Sequence, residues 1–158
     1  MSNKIYPIGI QNFEKIRKGG YCYIDKTAWI YQMVKTGSYY FLSRPRRFGK
    51  SLLLSTLEAY FQGKKKLFEG LAIEKLEKDW FKYPILHIDL NTEKYDTPER
   101  LENKLNRTLV EWEKIYGAES AETSLAMRFE GIIQRACEKE GQSVVILVDE
   151  YDLSLIHI

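Results

Sequence analysis

Apolar positions along this chain follow two rhythms. Three stretches, YYFLS at 39–43, YPILHIDLN at 83–91 and VVILVD at 144–149, are apolar almost without a break. Short runs of that kind, bounded by polar residues, read as strands covered on both faces. Between them, apolar residues recur every three or four positions, the period of a helix with one buried side. Ile30, Met33 and Val34 predict a helix over 26–35, capped by Asp25 and stopped by Gly37. Leu52, Leu53, Leu54, Leu57, Tyr60 and Phe61 predict another over 49–61. Thr97-Pro98-Glu99 is a cap, a first-turn proline and an acid at the positive end, and Leu101, Leu105, Leu109 and Trp112 continue that helix. Leu125, Phe129, Ile132, Ile133, Ala136 and Cys137 mark a further one, which Gly141 ends. Near the start, NFEKIRKGG reads as a short helix closed by Gly19 and Gly20, and YCYI as a short strand. Apolar strands separated by helices pair in parallel through crossovers, so the expected fold is α/β: three layers around a mostly parallel sheet.

One junction in this pattern carries chemistry. FLSRPRRFGKS, at 41–51, joins an expected strand to an expected helix and ends in Gly49-Lys50-Ser51. Backbone N–H groups at a helix start, with the helix dipole behind them, attract phosphate oxygens. Gly49 lets the backbone come close, Lys50 brings a mobile positive charge, and Ser51 offers a hydroxyl to Mg²⁺. The candidate nucleotide-binding residues are Arg46, Arg47, Phe48, Gly49, Lys50, Ser51 and Leu52. The loop departs from the usual phosphate-loop spacing: Arg44 stands where the first glycine is expected. Pro45 pushes Arg44 toward extended geometry and itself lacks an N–H donor. Arg46 or Arg47 compensates through forked contacts that a lysine cannot make. The competing reading is an ordinary helix start after a basic turn.

A second half-motif stands at 144–152, where VVILV leads into Asp149 and Glu150. Ligands of open parallel sheets bind beyond the carboxyl ends of the strands. Asp149 is the candidate metal residue together with Ser51, because Mg²⁺ keeps its water and takes few carboxylates. Glu150 is the candidate proton acceptor for an attacking water, and Lys50 the candidate catalytic cation. This reading requires the two half-motifs to face a common cleft. The bland alternative is an acidic strand end in solvent.

Other polar residues suit structural roles better. His87 sits among apolar neighbours and reads as core rather than metal ligand. Asp89 lies near a carboxyl edge and reads as a loop cap ahead of any role beside a metal. Asp25 and Lys26 start a helix, and Lys64, Lys65 and Lys66 form a solvated run.

Composition excludes some classes. The chain has 158 residues, 44% apolar and 29% charged, which fits a folded domain and not a disordered one. Its net charge of +2 says little about partners. Cys22 and Cys137 are far apart and form no metal spacing, so free thiols in the cytoplasm are expected. No apolar run is long enough for a membrane span. LSLIHI, at 153–158, follows the acidic motif abruptly and resembles adapter-derived sequence, so the native domain is expected over 1–152 and the tail is set aside.

The stretches FEKIRKGGYCYIDKT, FLSRPRRFGKSLLLSTLEAYFQGKKKLFEGLAI, YPILHIDLN and VVILVDEYD together resemble the bacterial AAA-ATPase-like domain family, whose members often carry a C-terminal PD-(D/E)XK nuclease-like domain. The resemblance implies a P-loop NTPase core, with Gly49, Lys50 and Ser51 binding ATP and Asp149 and Glu150 as the Mg²⁺-holding and water-activating acids. It assigns no role to Arg44, Arg46 or Arg47. It also implies that this chain is the N-terminal part of a longer protein, with the sheet incomplete at the C-terminus, which puts hydrolysis by the chain alone in doubt. The function expected is an ATP-binding, Mg²⁺-dependent domain that drives conformational change. The alternatives are a non-hydrolysing nucleotide switch and a nucleic-acid-binding module using Arg44–Arg47 and Lys64–Lys66, with a further nucleic-acid role open to a C-terminal domain. Oligomeric state is not legible.

Overall fold

The computed structural model describes residues 5–40, 42, 49–90 and 97–149. The chain divides into two units, Met1–Lys82 and Tyr83–Ile158.

The first unit is helical among its described residues. Its elements are α1 (Phe13–Lys18), α2 (Thr27–Thr36), α3 (Lys50–Phe61), a 3₁₀ turn (Lys65–Phe68) and α4 (Ala72–Leu76). Asn12 opens α1 by accepting the Lys15 N–H at 3.0 Å. The core is aromatic: the Phe13 and Phe68 rings lie 4.8 Å apart, and Phe68 and Trp80 5.1 Å. Ile16, Ile30, Leu57 and Ile73 are buried in the same unit. Asp25 starts α2 as the sequence suggests, accepting the Thr27 N–H at 2.9 Å and its hydroxyl at 2.6 Å. The same carboxylate also accepts the Ala72 N–H at 2.7 Å, so it opens α4 as well.

The strand expected at YCYI does not form. That stretch has no regular structure; among the described residues its backbone bonds run from the Tyr21 N–H to the Ile16 carbonyl at 3.1 Å and from the Cys22 N–H to the Ile5 carbonyl at 2.9 Å. Of the expected strand at 39–43, Tyr39, Tyr40 and Leu42 carry no strand, and the rest falls outside the described residues.

The second unit holds a sheet and its covering helices. Strand β1 (Ile85–Asp89) leads to α5 (Pro98–Tyr116), then α6 (Leu125–Glu140), then β2 (Val145–Asp149). The two strands pair in parallel, as the crossover predicted, with Ile85 level with Val145 and Asp89 level with Asp149. Helix α6 starts at Ser124, whose side chain accepts the Met127 N–H, and ends at Gly141 in the left-handed conformation. Leu86 of β1, Leu109 of α5 and Ile132 of α6 make the core, with Trp112 and Phe129 against it. Two ion pairs, Arg128 to Glu113 at 2.7 Å and Arg135 to Glu122 at 2.5 Å, brace the helices and the turn between them.

The fold is therefore mixed α/β, with a parallel two-stranded sheet among the described residues. The expectation of strands covered on both faces is met for β1 better than for β2. Ile146 and Val148 share a face with Leu86 but are 42% and 36% exposed. An apolar run marks a strand as buryable, and neighbouring elements decide which of its side chains are covered. No described helix is long and apolar enough to cross a membrane.

Candidate functional site

Of the junction between the basic loop and the helix, Leu42, Gly49 and the start of α3 lie among the described residues. Gly49 caps α3 with φ +83°, a left-handed conformation that costs a residue with a side chain roughly 1–2 kcal/mol. A Cβ placed there would meet no atom of the described residues within 4 Å, so among them the glycine serves the backbone turn and not a packing contact. The helix's first ladder bond runs from the Leu53 N–H to the Gly49 carbonyl at 3.0 Å. The N–H groups of Lys50, Ser51 and Leu52 stand ahead of it, at the positive end of the dipole. The first turn carries no acid to oppose an anion.

The helix is also anchored from the side. Ser55 accepts the Phe13 N–H at 2.9 Å and donates to the Leu52 carbonyl at 3.0 Å. Thr56 donates to the same carbonyl at 2.7 Å. At its far end, Tyr60 hydrogen-bonds the buried carboxylate of Glu77, which Lys35 also approaches at 3.0 Å. Burial alone would raise the Glu77 pKa, but the Tyr60, Lys35 and Asp79 hydrogen bonds outweigh it and hold the group below its ordinary range. These anchors were not legible in advance, because nothing local marks Ser55 or Glu77 as different from any other polar residue on a helix face or turn.

In the second unit, Asp149 closes β2 and is 9% exposed. Asp89 closes β1 at the same level of the ladder and is exposed. The ladder continues one step past both, through the Leu90 N–H to the Asp149 carbonyl at 3.2 Å. The pairing of these two acids was missed in the sequence. Its signal was available, since ILHID and VILVD are two five-residue strands that each end in aspartate. His87 lies within β1, level with Leu147, consistent with a strand-interior residue.

Arg46, Arg47 and Phe48, together with Arg44 and Pro45, lie outside the described residues, as do Glu150 and the 153–158 tail. Gly49, Lys50, Ser51 and Leu52 belong to the first unit and Asp149 to the second. Among the described residues no group of three or more His, Cys, Asp or Glu side chains forms a metal cluster. Cys22 and Cys137 are free thiols.

Comparison with known proteins gives the context. A protein from Azotobacter chroococcum mcd 1, described as an uncharacterized protein in the vnfD 5' region, is 42% identical over 158 residues. The match covers 99% of this chain and 30% of that relative, so the chain spans under a third of the relative's length. No solved structure matches. The family model described as predicted AAA-ATPase matches residues 7–158. With nearly the whole length matched, the chain belongs to the predicted AAA-ATPase family.

Proposed function

We propose that this chain is the nucleotide-binding part of an ATPase, taking ATP with Mg²⁺ and coupling its binding and hydrolysis to a conformational change in a longer protein. The observation that carries the reading is the left-handed Gly49 directly ahead of the 12-residue helix α3, in a chain of this family. The donor set fits the ligand: backbone N–H groups at a helix start, a lysine and a hydroxyl suit phosphate, and a carboxylate at a strand end suits a hydrated magnesium ion.

The roles follow from the chemistry of each group. The N–H groups of Lys50, Ser51 and Leu52 bind phosphate oxygens, and the Lys50 ammonium holds the β- and γ-phosphates. Arg46 and Arg47 add forked contacts, and Phe48 contributes its backbone. The Ser51 hydroxyl and the Asp149 carboxylate position the metal, Asp149 through its water shell. Mg²⁺, when bound with the nucleotide, supplies charge neutralisation at the transferring phosphoryl group. The Glu150 carboxylate would orient a water for in-line attack on the γ-phosphorus and accept its proton, while the bond to the β–γ bridging oxygen breaks and ADP leaves. On this reading the two parallel strands belong to a three-layer P-loop core.

Lys50→Ala tests the proposal. Titration calorimetry with Mg–ATP should show binding by the parent protein and at least about a tenfold loss in the variant, the size of one lost charged contact. Equal affinity in both would end the reading.

A further inference from the structure

We propose that α1 and the 3₁₀ turn after Lys64 form a surface for the phosphate backbone of a nucleic-acid duplex, with Lys15, Lys18, Lys64, Lys65 and Lys66 as its contacts. The inference goes beyond the nucleotide reading, uses none of its residues and does not rest on it. Its first support is the placement of charge. Met1–Lys82 holds 16 Lys and Arg against 7 Asp and Glu, whereas Tyr83–Ile158 holds 8 against 15. Without Arg44, Arg46, Arg47 and Lys50, the first unit still has 12 cations against 7 acids. Such asymmetry between halves of a chain points to an anionic partner for the basic half. Acids of this unit are spent internally: Asp25 accepts the Thr27 and Ala72 N–H groups, Glu77 the Tyr60 hydroxyl and the Asp79 N–H.

The second support is the way the lysines gather. Lys18 lies three positions after Lys15 and four after Glu14, so the three share the solvent side of α1, opposite the buried Phe13 and Ile16. Glu14 binds Lys18 at 2.6 Å and reaches across to Lys64 at 2.8 Å. Arg17 ties the same two elements together, donating to the Leu67 and Glu69 carbonyls at 2.7 and 2.5 Å. One carboxylate therefore gathers two ammonium groups. Lys15, Lys65 and Lys66 are exposed and have no partner among the described residues.

The chemistry selects the partner. Lysine is a mobile point charge that meets phosphates without a fixed geometry. Phe13, Ile16 and Phe68 are buried and Leu67 is half-buried. The two elements thus offer no ring on which an unpaired base could stack and little apolar area to sink into a bilayer. What remains is sequence-independent attraction to closely spaced phosphates, which a duplex presents.

Fluorescence anisotropy with a labelled DNA duplex of random sequence, over a series of NaCl concentrations, tests this. The parent protein should bind, its log affinity falling linearly with log salt. Lys65→Gln with Lys66→Gln should reduce that slope by about 1.8, and adding Lys15→Gln by about 2.7 in all, at roughly 0.9 for each lost phosphate contact. Lys65→Arg with Lys66→Arg should keep the slope, and ATP affinity should be the same in every variant. No duplex binding by the parent, or an unchanged slope in the glutamine variants, overturns the inference and leaves the nucleotide reading intact. Capture by phosphatidylserine vesicles that is at least as tight, and lost in the same variants, overturns it in favour of a membrane surface. Salt-sensitive self-association lost in those variants, without duplex binding, overturns it in favour of a second copy of this chain. A parent protein that binds the duplex but not ATP removes the nucleotide reading alone.

Discussion

Gly49 shows how much one residue decides here. Its φ of +83° is open to glycine at no cost and to alanine only with strain, yet none of the described residues occupies the space a Cβ would take. Gly49→Ala is therefore expected to lower stability by only about 1–2 kcal/mol, read from urea denaturation. A phosphate lying against this backbone makes the methyl group cost more in the bound state than in the free one. ATP affinity should then fall beyond what the loss of folded protein explains. An affinity loss no larger than the folding loss would place the phosphate elsewhere. The residue type was readable from Gly49-Lys50-Ser51, but the open space that the described residues leave beside it was not. That space is a property of side chains that come from other parts of the chain.

Elements in the first unit are held by polar groups that serve two partners. Asp25 is the example. The sequence predicts it as the cap of α2, and it is, but one of its oxygens also receives the Ala72 N–H and so starts α4, 47 residues away. Thr27 extends the link by accepting the Ile73 N–H at 3.1 Å while fully buried. Removing the carboxylate leaves both helix starts without their acceptor. Asp25→Ala should cost about 2–4 kcal/mol, more than an ordinary cap, and Asp25→Asn about half as much, since one oxygen acceptor remains. Denaturation midpoints of the two variants check this. A loss near 1 kcal/mol for Asp25→Ala would mean that the Ala72 contact adds nothing. Local spacing reveals a cap because a cap is local; the second partner is set by how α4 docks, which no window around Asp25 contains.

Across the whole molecule, charge ties stability to pH. Hydrogen bonds from Lys18 and Lys64 lower the Glu14 pKa to about 2. Arg128 lowers that of Glu113, and Arg135 that of Glu122. Burial works the other way on Asp25 and Glu77, but the hydrogen bonds they accept leave both below their ordinary values. Each folded-state pKa thus lies under the unfolded one, roughly 3.9 for Asp and 4.3 for Glu. A group shifted down in this way stabilises in full above its unfolded pKa, and the contribution disappears as pH falls through the folded value. The melting temperature should be flat from pH 7 to about 5 and fall progressively toward pH 2. A melting temperature that holds constant down to pH 3 would show that these pairs do not act together on folding.

The sequence by itself determined the helices α1, α2, α3, α5 and α6, the start of α2 at Asp25 and the end of α6 at Gly141, the apolar strands β1 and β2 and their parallel sense, and the Gly49-Lys50-Ser51 that begins α3; α4 and the caps at Asn12 and Ser124 were not read from it. The features that were read follow from interactions within a few residues, or from the length of the connection between strands. Tertiary structure alone decided that YCYI makes no strand, because a strand depends on a ladder that local sequence does not specify. It also decided that Asp25 reaches Ala72, that Glu77 is buried under Tyr60 and Lys35, and that Asp89 and Asp149 stand level. Those facts depend on register and packing between segments far apart in the chain, and a sequence holds no local record of distance across space.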